Sequence, residues 1–151
     1  MPDHIQEVLK LLIEATGIKH IERIGARGAV FYPQDGNYSQ LVSKFAKVFH
    51  GKYEELAELS ADKARDVFFG LDGIKNGYNN HIEFGPAKNH EVASIFTATG
   101  PSNKSESNII IDVDVFMQSP EISELEENIS PLITEGKRLI DGCTALIEKN
   151  L

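Results

Sequence analysis

The stretch NIIIDVDVFMQ, residues 108 to 118, is the most apolar run of the chain, yet it contains two acids, Asp112 and Asp114. Two aspartates in a D-x-D spacing can supply oxygen ligands to Mg²⁺ or Mn²⁺. Enzymes that use such a pair commonly add a third carboxylate, or a glycine-rich loop that cradles a phosphate and is followed by Lys and Ser or Thr. The sequence contains no such loop. A metal site at the two aspartates is therefore a hypothesis that still needs further ligands.

Two arginines offer the aspartates a different partner. In IERIGARGAVF, residues 21 to 31, the period of two predicts a strand with Arg23 and Arg27 on the same face. If this first strand neighbours the last one, the arginines and aspartates can form cross-strand ion pairs, each contributing on the order of a few tenths of a kcal/mol. We prefer this interpretation. A solvated face without specific partners is the third alternative.

Two more polar side chains alternate with apolar ones in NNHIEFG, where His81 and Glu83 share a predicted strand face. A histidine, a glutamate and the two aspartates could converge on one open sheet face and form an acid–base or ligand-binding cluster. The simpler alternative is that these side chains face water. The candidate ligand-binding residues are Arg23, Arg27, His81 and Glu83, and the candidate metal ligands are Asp112 and Asp114.

The elements that must position these residues begin with two helices. Asp3 is a suitable cap for the first helix, which Gly17 ends. The apolar stripe of this helix is Ile5, Val8, Leu9 and Leu12. A second helix has a predicted buried stripe of Leu41, Phe45, Val48 and Phe49. A short helix near residues 53 to 64 follows it.

Four strand signals separated by turns come next: RDVFFGL, NNHIEFG, EVASIFTAT and NIIIDVDVFMQ. Asp72-Gly73 and Asn76-Gly77 are the predicted turns after the first of them. In the last strand the predicted core face is Ile109, Ile111, Val113, Val115 and Met117, so both aspartates lie on the opposite face. These strands and the arginine-bearing strand predict an α+β fold with an antiparallel sheet of about five strands and helices on one face.

A long C-terminal helix completes the fold, because apolar residues recur at spacings of three and four from Ile129 to Ile147. Ser119-Pro120 is a suitable start for it. Pro131 either begins this helix or lies within a longer one. Cys143 falls on the apolar stripe and is expected to be an inert core residue.

Composition limits the classes of function. A length of 151 residues fits one domain, residues 1 to 151. A net charge of −8, with 15 scattered Lys and Arg, argues against nucleic acid. No apolar run approaches the roughly 20 residues of a membrane span. With no signal peptide pattern and one cysteine, we expect a cytoplasmic protein without cofactor.

The two strands with paired charges also resemble a known family. IERIGARGAVF is similar to the R-I-G-x-R strand of a sporadically distributed family of uncharacterised bacterial proteins. IIIDVDVF, followed by a long helix, is similar to that family's closing D-x-D strand and helix. The matching positions are Arg23, Gly25, Arg27, Asp112 and Asp114. The resemblance covers about residues 17 to 150 and corresponds to the C-terminal half of those proteins. It implies that the arginine pair and the aspartate pair belong together, and it implies no particular activity.

The sequence thus predicts a non-catalytic cytoplasmic interaction or assembly module, with a protein partner or a second copy at an exposed sheet edge or on the open face. One alternative is a small-molecule binding domain, with a pocket near Phe68, Tyr78 and Phe96 under the loop that starts at residue 100. The other alternative is a divalent-metal enzyme that uses the aspartate pair.

Overall fold

The computed structural model describes residues 2–51, 55, 66–88, 90 and 107–151. In chain order its helices and strands are α1 (Pro2–Thr16), β1 (Arg23–Gln34), α2 (Tyr38–Phe49), β2 (Phe69–Lys75), β3 (Tyr78–Lys88), β4 (Ser107–Gln118) and α3 (Ile122–Asn150). The predicted strand EVASIFTAT and the loop from residue 100 to 106 lie outside the described residues. So does the predicted helix near residues 53 to 64, apart from residue 55.

The strands form one sheet with the order β1-β4-β3-β2, and every neighbouring pair is antiparallel. The α+β class and the antiparallel sheet are confirmed. Within the described residues the sheet has four strands, so the prediction of about five was slightly wrong. The first strand lies beside the last, which is the condition under which the arginines and aspartates can meet.

Strand β2 runs through a predicted turn. Asp72 and Gly73 pair with His81 and Asn80 in the ladder between β2 and β3, so they do not form a turn. The chain reverses instead at Asn76-Gly77, where φ is 54° and 82°. Positive φ at both central residues is the requirement of a tight hairpin turn of type I′, which Asn-Gly satisfies best. Asp72 is therefore a strand residue, and its carboxylate lies on the sheet beside His81.

The core lies between one face of the sheet and the helices α2 and α3. The odd-numbered residues of β4 from 109 to 115 are completely buried and pack with Phe45 of α2 and Leu132 of α3. This confirms the predicted division of β4 into a core face and a face that carries the aspartates. Cys143 of α3 is also in this cluster, and burial raises the pKa of its thiol. Cys143 is therefore a core residue, as predicted.

Helix α3 follows β1 along its whole length. It begins at Ile122, two residues after the predicted start, with Glu121 as its N-cap, and it continues through Pro131. The longer of the two predicted helices is therefore the observed one. Helix α3 and strand β1 run in the same direction, because later residues of α3 contact later residues of β1. The methyl group Cδ1 of Ile140 lies beside Gly28, and the hydroxyl groups of Thr144 and Tyr32 are 2.8 Å apart.

The two N-terminal helices pack less closely than predicted. Helix α1 begins at Pro2, so Asp3 lies inside the first turn instead of capping it, and Gly17 ends the helix with φ at 65°. The apolar side of α1 is largely exposed, with Val8 at 65%. In α2 Val48 is exposed as well, and the buried residues are Leu41, Val42, Phe45 and Ala46. Within the described residues, none of the helices has the length and apolar character needed to span a membrane.

Candidate functional site

The sheet face opposite the core brings all six predicted site residues together. The ladder places them side by side on three strands. Asp72 of β2, opposite His81, adds one more acid to this face. We call this surface the charged face, and it consists of Arg23, Arg27, Asp72, His81, Glu83, Asp112 and Asp114.

Each aspartate of β4 is held by one arginine of β1. Arg27 binds Asp112 with two donors: Nε donates to Oδ1 at 3.0 Å, and Nη2 donates to Oδ2. Arg23 Nη2 donates to Asp114 Oδ2. The carboxyl side chains are only 18% and 21% exposed. The ion-pair interpretation is thereby confirmed. Among the described residues, no group of three His, Cys, Asp or Glu could hold a metal ion.

The pairing of Arg27 is diagonal, and a third acid lies beside it. Arg27 lies directly opposite Asp114 in the ladder, yet its guanidinium group turns to Asp112. Asp112 faces Glu83 across the β3–β4 pair, and like charges in that position repel each other. The guanidinium relieves this repulsion. The hydrogen bond to Asp112 raises the pKa of Arg27 most, and the charge of Glu83 adds to the effect.

The pair of Arg23 with Asp114 depends on the absence of a side chain at Gly25. The register position of Arg23 is four residues from Asp114, and Gly25 lies between them, opposite Phe116. The guanidinium group of Arg23 lies 3.9 Å from the centroid of the Phe116 ring, a cation–π contact. A Cβ atom on Gly25 would come within 2.9 Å of Phe116 Cβ and 3.3 Å of Asp114 Oδ1. The Arg-x-Gly-x-Arg spacing thus lets one arginine reach along the strand.

His81 continues the charged row toward the far edge of the sheet. Its Nδ1 lies 2.7 Å from Oδ1 of Asp72, and its Nε2 lies 3.9 Å from Oε2 of Glu83. The hydrogen bond with Asp72 raises the pKa of His81 above its ordinary value of 6.5, and the charges of Asp72, Glu83 and Asp112 act in the same direction. Sequence reasoning missed Asp72 because Asp-Gly is a common turn pair.

Replacing Asp72 by asparagine should lower the pKa of His81. Because the folded chain holds the imidazolium form more tightly, this contribution to stability is complete below about pH 6.5 and disappears as the pH rises through the raised pKa. An NMR titration of the His81 ring measures the change. Glu135→Gln, on α3, is the control and should leave the midpoint unaltered. An equal midpoint in Asp72→Asn and the unmodified chain would show that the Asp72 bond does not set the pKa.

The predicted pocket near Phe68 and Tyr78 is not formed by those two side chains together. Tyr78 packs with the core, and its hydroxyl group donates to Asn128 Oδ1 at 2.8 Å. Phe68 lies beside Gly85 on the other face of the sheet. The two rings are separated because Phe68, just before β2, lies beside Gly85 on the charged face, whereas Tyr78 of β3 packs against the core. Phe96, the third predicted lining residue, lies outside the described residues.

A second candidate site is the outer edge of β1. The N–H of Ser119 donates to the carbonyl oxygen of Glu22 at 2.8 Å. Hydrogen-bonded and non-hydrogen-bonded pairs alternate in an antiparallel ladder. The even-numbered residues of β1 therefore direct their backbone groups to β4, and the odd-numbered ones direct theirs outward. Pro33, which has no N–H, occupies one of the outward positions, as is usual for proline at a sheet edge.

No strand of the described part of the chain covers the middle of this edge. Within the described residues no strand pairs with the outer side of β1, so the N–H groups of Gly25, Arg27 and Ala29 point away from the sheet. Most edge strands are short, bulged or covered, because an open edge recruits other strands. β1 is 12 residues long. It is therefore an edge on which another strand can dock.

An apolar groove runs beside the same edge, between β1 and α3. One part, of about 380 Å³, is closed at its end by α1 through Ile5 and Leu9. The next part, of about 430 Å³, extends from Ala26 to Val30 and has no lining residue from α1. We call the whole surface, with the outward backbone of β1, the β1 edge. Sequence reasoning named an exposed sheet edge as an interaction site but had no signal for which strand would supply it.

Comparisons with protein-family models, with curated proteins and with solved structures found no match to this chain. The resemblance to the bacterial family with the R-I-G-x-R strand stays a prediction. Function is therefore inferred from the geometry of the charged face and the β1 edge.

Proposed function

We propose that this chain is a non-catalytic cytoplasmic interaction module that accepts a partner strand at the β1 edge. One observation carries the proposal: the N–H groups of Gly25, Arg27 and Ala29 point outward from a long strand that no described strand covers. In strand addition, backbone hydrogen bonds give affinity and alternate side chains give specificity. The three outward N–H groups and the carbonyl groups beside them provide the backbone part.

The groove supports the proposal from the core side of β1. Every second side chain of an added strand would point toward α3 and cover apolar atoms of Ile133 and Ile140. Ile133 is 38% exposed in the chain as it stands. Burial of such surface stabilises an interface by roughly 25 cal/mol per Å² before the costs of association.

The charged face supports the proposal as framework. Its arginines and aspartates are bound to each other across β1 and β4, and His81 is held by Asp72. The two arginine–aspartate pairs fix β1 to β4 on its inner side, and no described strand covers its outer side. The small-molecule and metal-enzyme alternatives stay predictions.

Ala29→Pro tests the proposal, because it removes an outward N–H without removing a bond to β4. We expect the unmodified protein, in extract of its native cells, to elute in a complex larger than the 16.7 kDa chain. Ala29→Pro should shift most of it to the size of the single chain. Size-exclusion chromatography with detection by antibody measures both.

Two controls separate loss of binding from loss of fold. Ala29→Ser keeps the N–H and should elute like the unmodified protein. A thermal melt of purified Ala29→Pro should remain cooperative. If Ala29→Pro and Ala29→Ser elute in the same large complex, or if the unmodified protein elutes as a single chain in extract, the β1 edge is not the interaction site.

A further inference from the structure

We infer that helix α1 is a lid on the β1 edge, which closes over the core side of a partner strand. This inference rests on the proposed function of the β1 edge. It states how the bound strand is held and which side chains that strand carries. Three features of α1 support it: its place beside the groove, its exposed apolar stripe and the segment that joins it to β1.

Helix α1 lies beside the part of β1 that the partner strand would pair with. The hollow of about 380 Å³ is bounded by Ile5 and Leu9 of α1, by residues 24–27 of β1 and by residues 129–133 of α3. A second hollow, of about 310 Å³, lies between Leu9 and the start of α3 at residues 122–125. Leu9 thus lies next to two unfilled spaces. Helix α1 therefore has room to move against β1 and α3.

The apolar stripe of α1 is only partly buried in the chain as it stands. Ile5, Leu9 and Leu12 recur at spacings of four and three, so they lie on one side of the helix, with Val8 at the edge of the same stripe. Although Ile5 lines the hollow, it is 46% exposed, and Leu12 and Val8 are 51% and 65% exposed. A strand beside β1 would give this stripe an apolar surface to cover. Its absence explains why α1 packs less closely than predicted.

The lining of the hollow defines the side chains of the partner strand. Alternate side chains of an added strand point to the core side of β1, where Ile24 and Ala26 lie. Among the described residues that line this hollow, Arg27 is the one charged residue, and its guanidinium group binds Asp112 on the charged face. The partner strand therefore carries a large apolar residue at the position that enters the hollow. Helix α1 closes over that residue.

The segment between α1 and β1 can absorb the movement. Gly17 ends α1 with φ at 65°, and residues 18–22 are neither helix nor strand. The far end of this segment is fixed, because the carbonyl oxygen of Glu22 accepts the hydrogen bond from the N–H of Ser119. Helix α1 can therefore turn about the segment while β1 stays paired with β4. Such changes at a few residues beside a helix end are how lids commonly close.

Two neighbouring leucines of α1 provide a matched test. Leu12 lies on the stripe, whereas Leu11, which is 59% exposed, lies about 100° away from it around the helix. Size-exclusion chromatography of serially diluted extract from the native cells measures where the complex dissociates. Leu12→Asp should dissociate at a concentration at least about tenfold higher than the unmodified protein, because closure would bury a carboxylate. Leu11→Asp should dissociate like the unmodified protein. Thermal melts of the two purified variants should agree, since both positions are exposed in the free chain.

A thiol label measures the closure itself. In Val8→Cys the new thiol is exposed, whereas the native Cys143 is only 6% exposed and should react slowly. Maleimide should modify Val8→Cys at least about tenfold more slowly in the complex than in the purified chain. Leu11→Cys is the control and should react at the same rate in both.

The lid is overturned if Leu12→Asp and Leu11→Asp dissociate alike, or if Val8→Cys reacts equally fast in the complex and in the purified chain. A tighter complex of Leu12→Asp would overturn it as well, because α1 would then oppose the partner strand. In each of these cases the proposed function still stands when Ala29→Pro reduces the size of the complex in extract. It fails too when that complex is absent or unaffected by Ala29→Pro.

Discussion

Replacing Ile111 by alanine should lower the free energy of unfolding by about 2–5 kcal/mol. Ile111 is completely buried in the middle of β4, between the sheet neighbours and the helices. The substitution removes apolar atoms that the core cannot replace, so the cost includes the lost transfer free energy and the cavity left behind. Urea unfolding followed by circular dichroism measures the difference.

Ile74→Ala is the matched control, since the same side chain is shortened on β2, where it is 77% exposed. It should change the unfolding free energy by less than about 0.5 kcal/mol. Equal effects of the two substitutions would contradict the division of β4 into a core face and a charged face. The proposal for the β1 edge depends on that division, because it fixes the face on which α3 lies.

Gly25→Ala should destabilise the chain by about 1–3 kcal/mol, although alanine is ordinarily the better strand residue. Its Cβ would lie 2.9 Å from the carbonyl oxygen of Val115 and 2.9 Å from Phe116 Cβ. Neither atom is the free end of a flexible side chain, so β1 must move away from β4. The methyl group would also occupy the space through which Arg23 reaches Asp114. Thermal and urea unfolding measure the loss.

Gly70→Ala serves as the control, because a Cβ atom at Gly70 on β2 meets no described atom within 4 Å. This substitution should be neutral or slightly stabilising, since it reduces the freedom of the unfolded chain. If Gly25→Ala is as well tolerated as Gly70→Ala, the close approach of β1 and β4 at Phe116 does not hold. The Arg-x-Gly-x-Arg spacing would then have no structural basis in that contact.

Part of this structure could be predicted because strands have a period of two. The alternation in NIIIDVDVFMQ separated the core residues from Asp112 and Asp114, and the alternation in β1 placed Arg23 and Arg27 on one face. Opposite charges on two strands then favoured their pairing, which the ladder confirms. The C-terminal helix could be predicted equally well, because apolar residues recur at spacings of three and four over about five helical turns.

Other features depend on register, which alternation does not determine. The sequence could not show that Arg27 would bind Asp112 and not Asp114, since only the register shows that Asp114 lies directly opposite Arg27 and that Glu83 lies beside Asp112. The sequence predicts a turn at Asp72 because Asp-Gly and Asn-Gly are both good turn pairs. The chain reverses only at Asn76-Gly77, and Asp72 lies in strand β2. The sequence also could not show which N–H groups of β1 point outward. That follows from the hydrogen bond between Ser119 and Glu22, the residue just before β1.

Hydrogen exchange at single amides tests the β1 edge most directly. In the associated protein the N–H groups of Gly25, Arg27 and Ala29 should exchange slowly, and dilution to the single chain should make them fast. The N–H groups of Ala26 and Gly28, which are directed to β4, should be protected in both states. Rapid exchange of the three outward amides while the protein is associated would contradict strand addition at β1 and place the interface elsewhere.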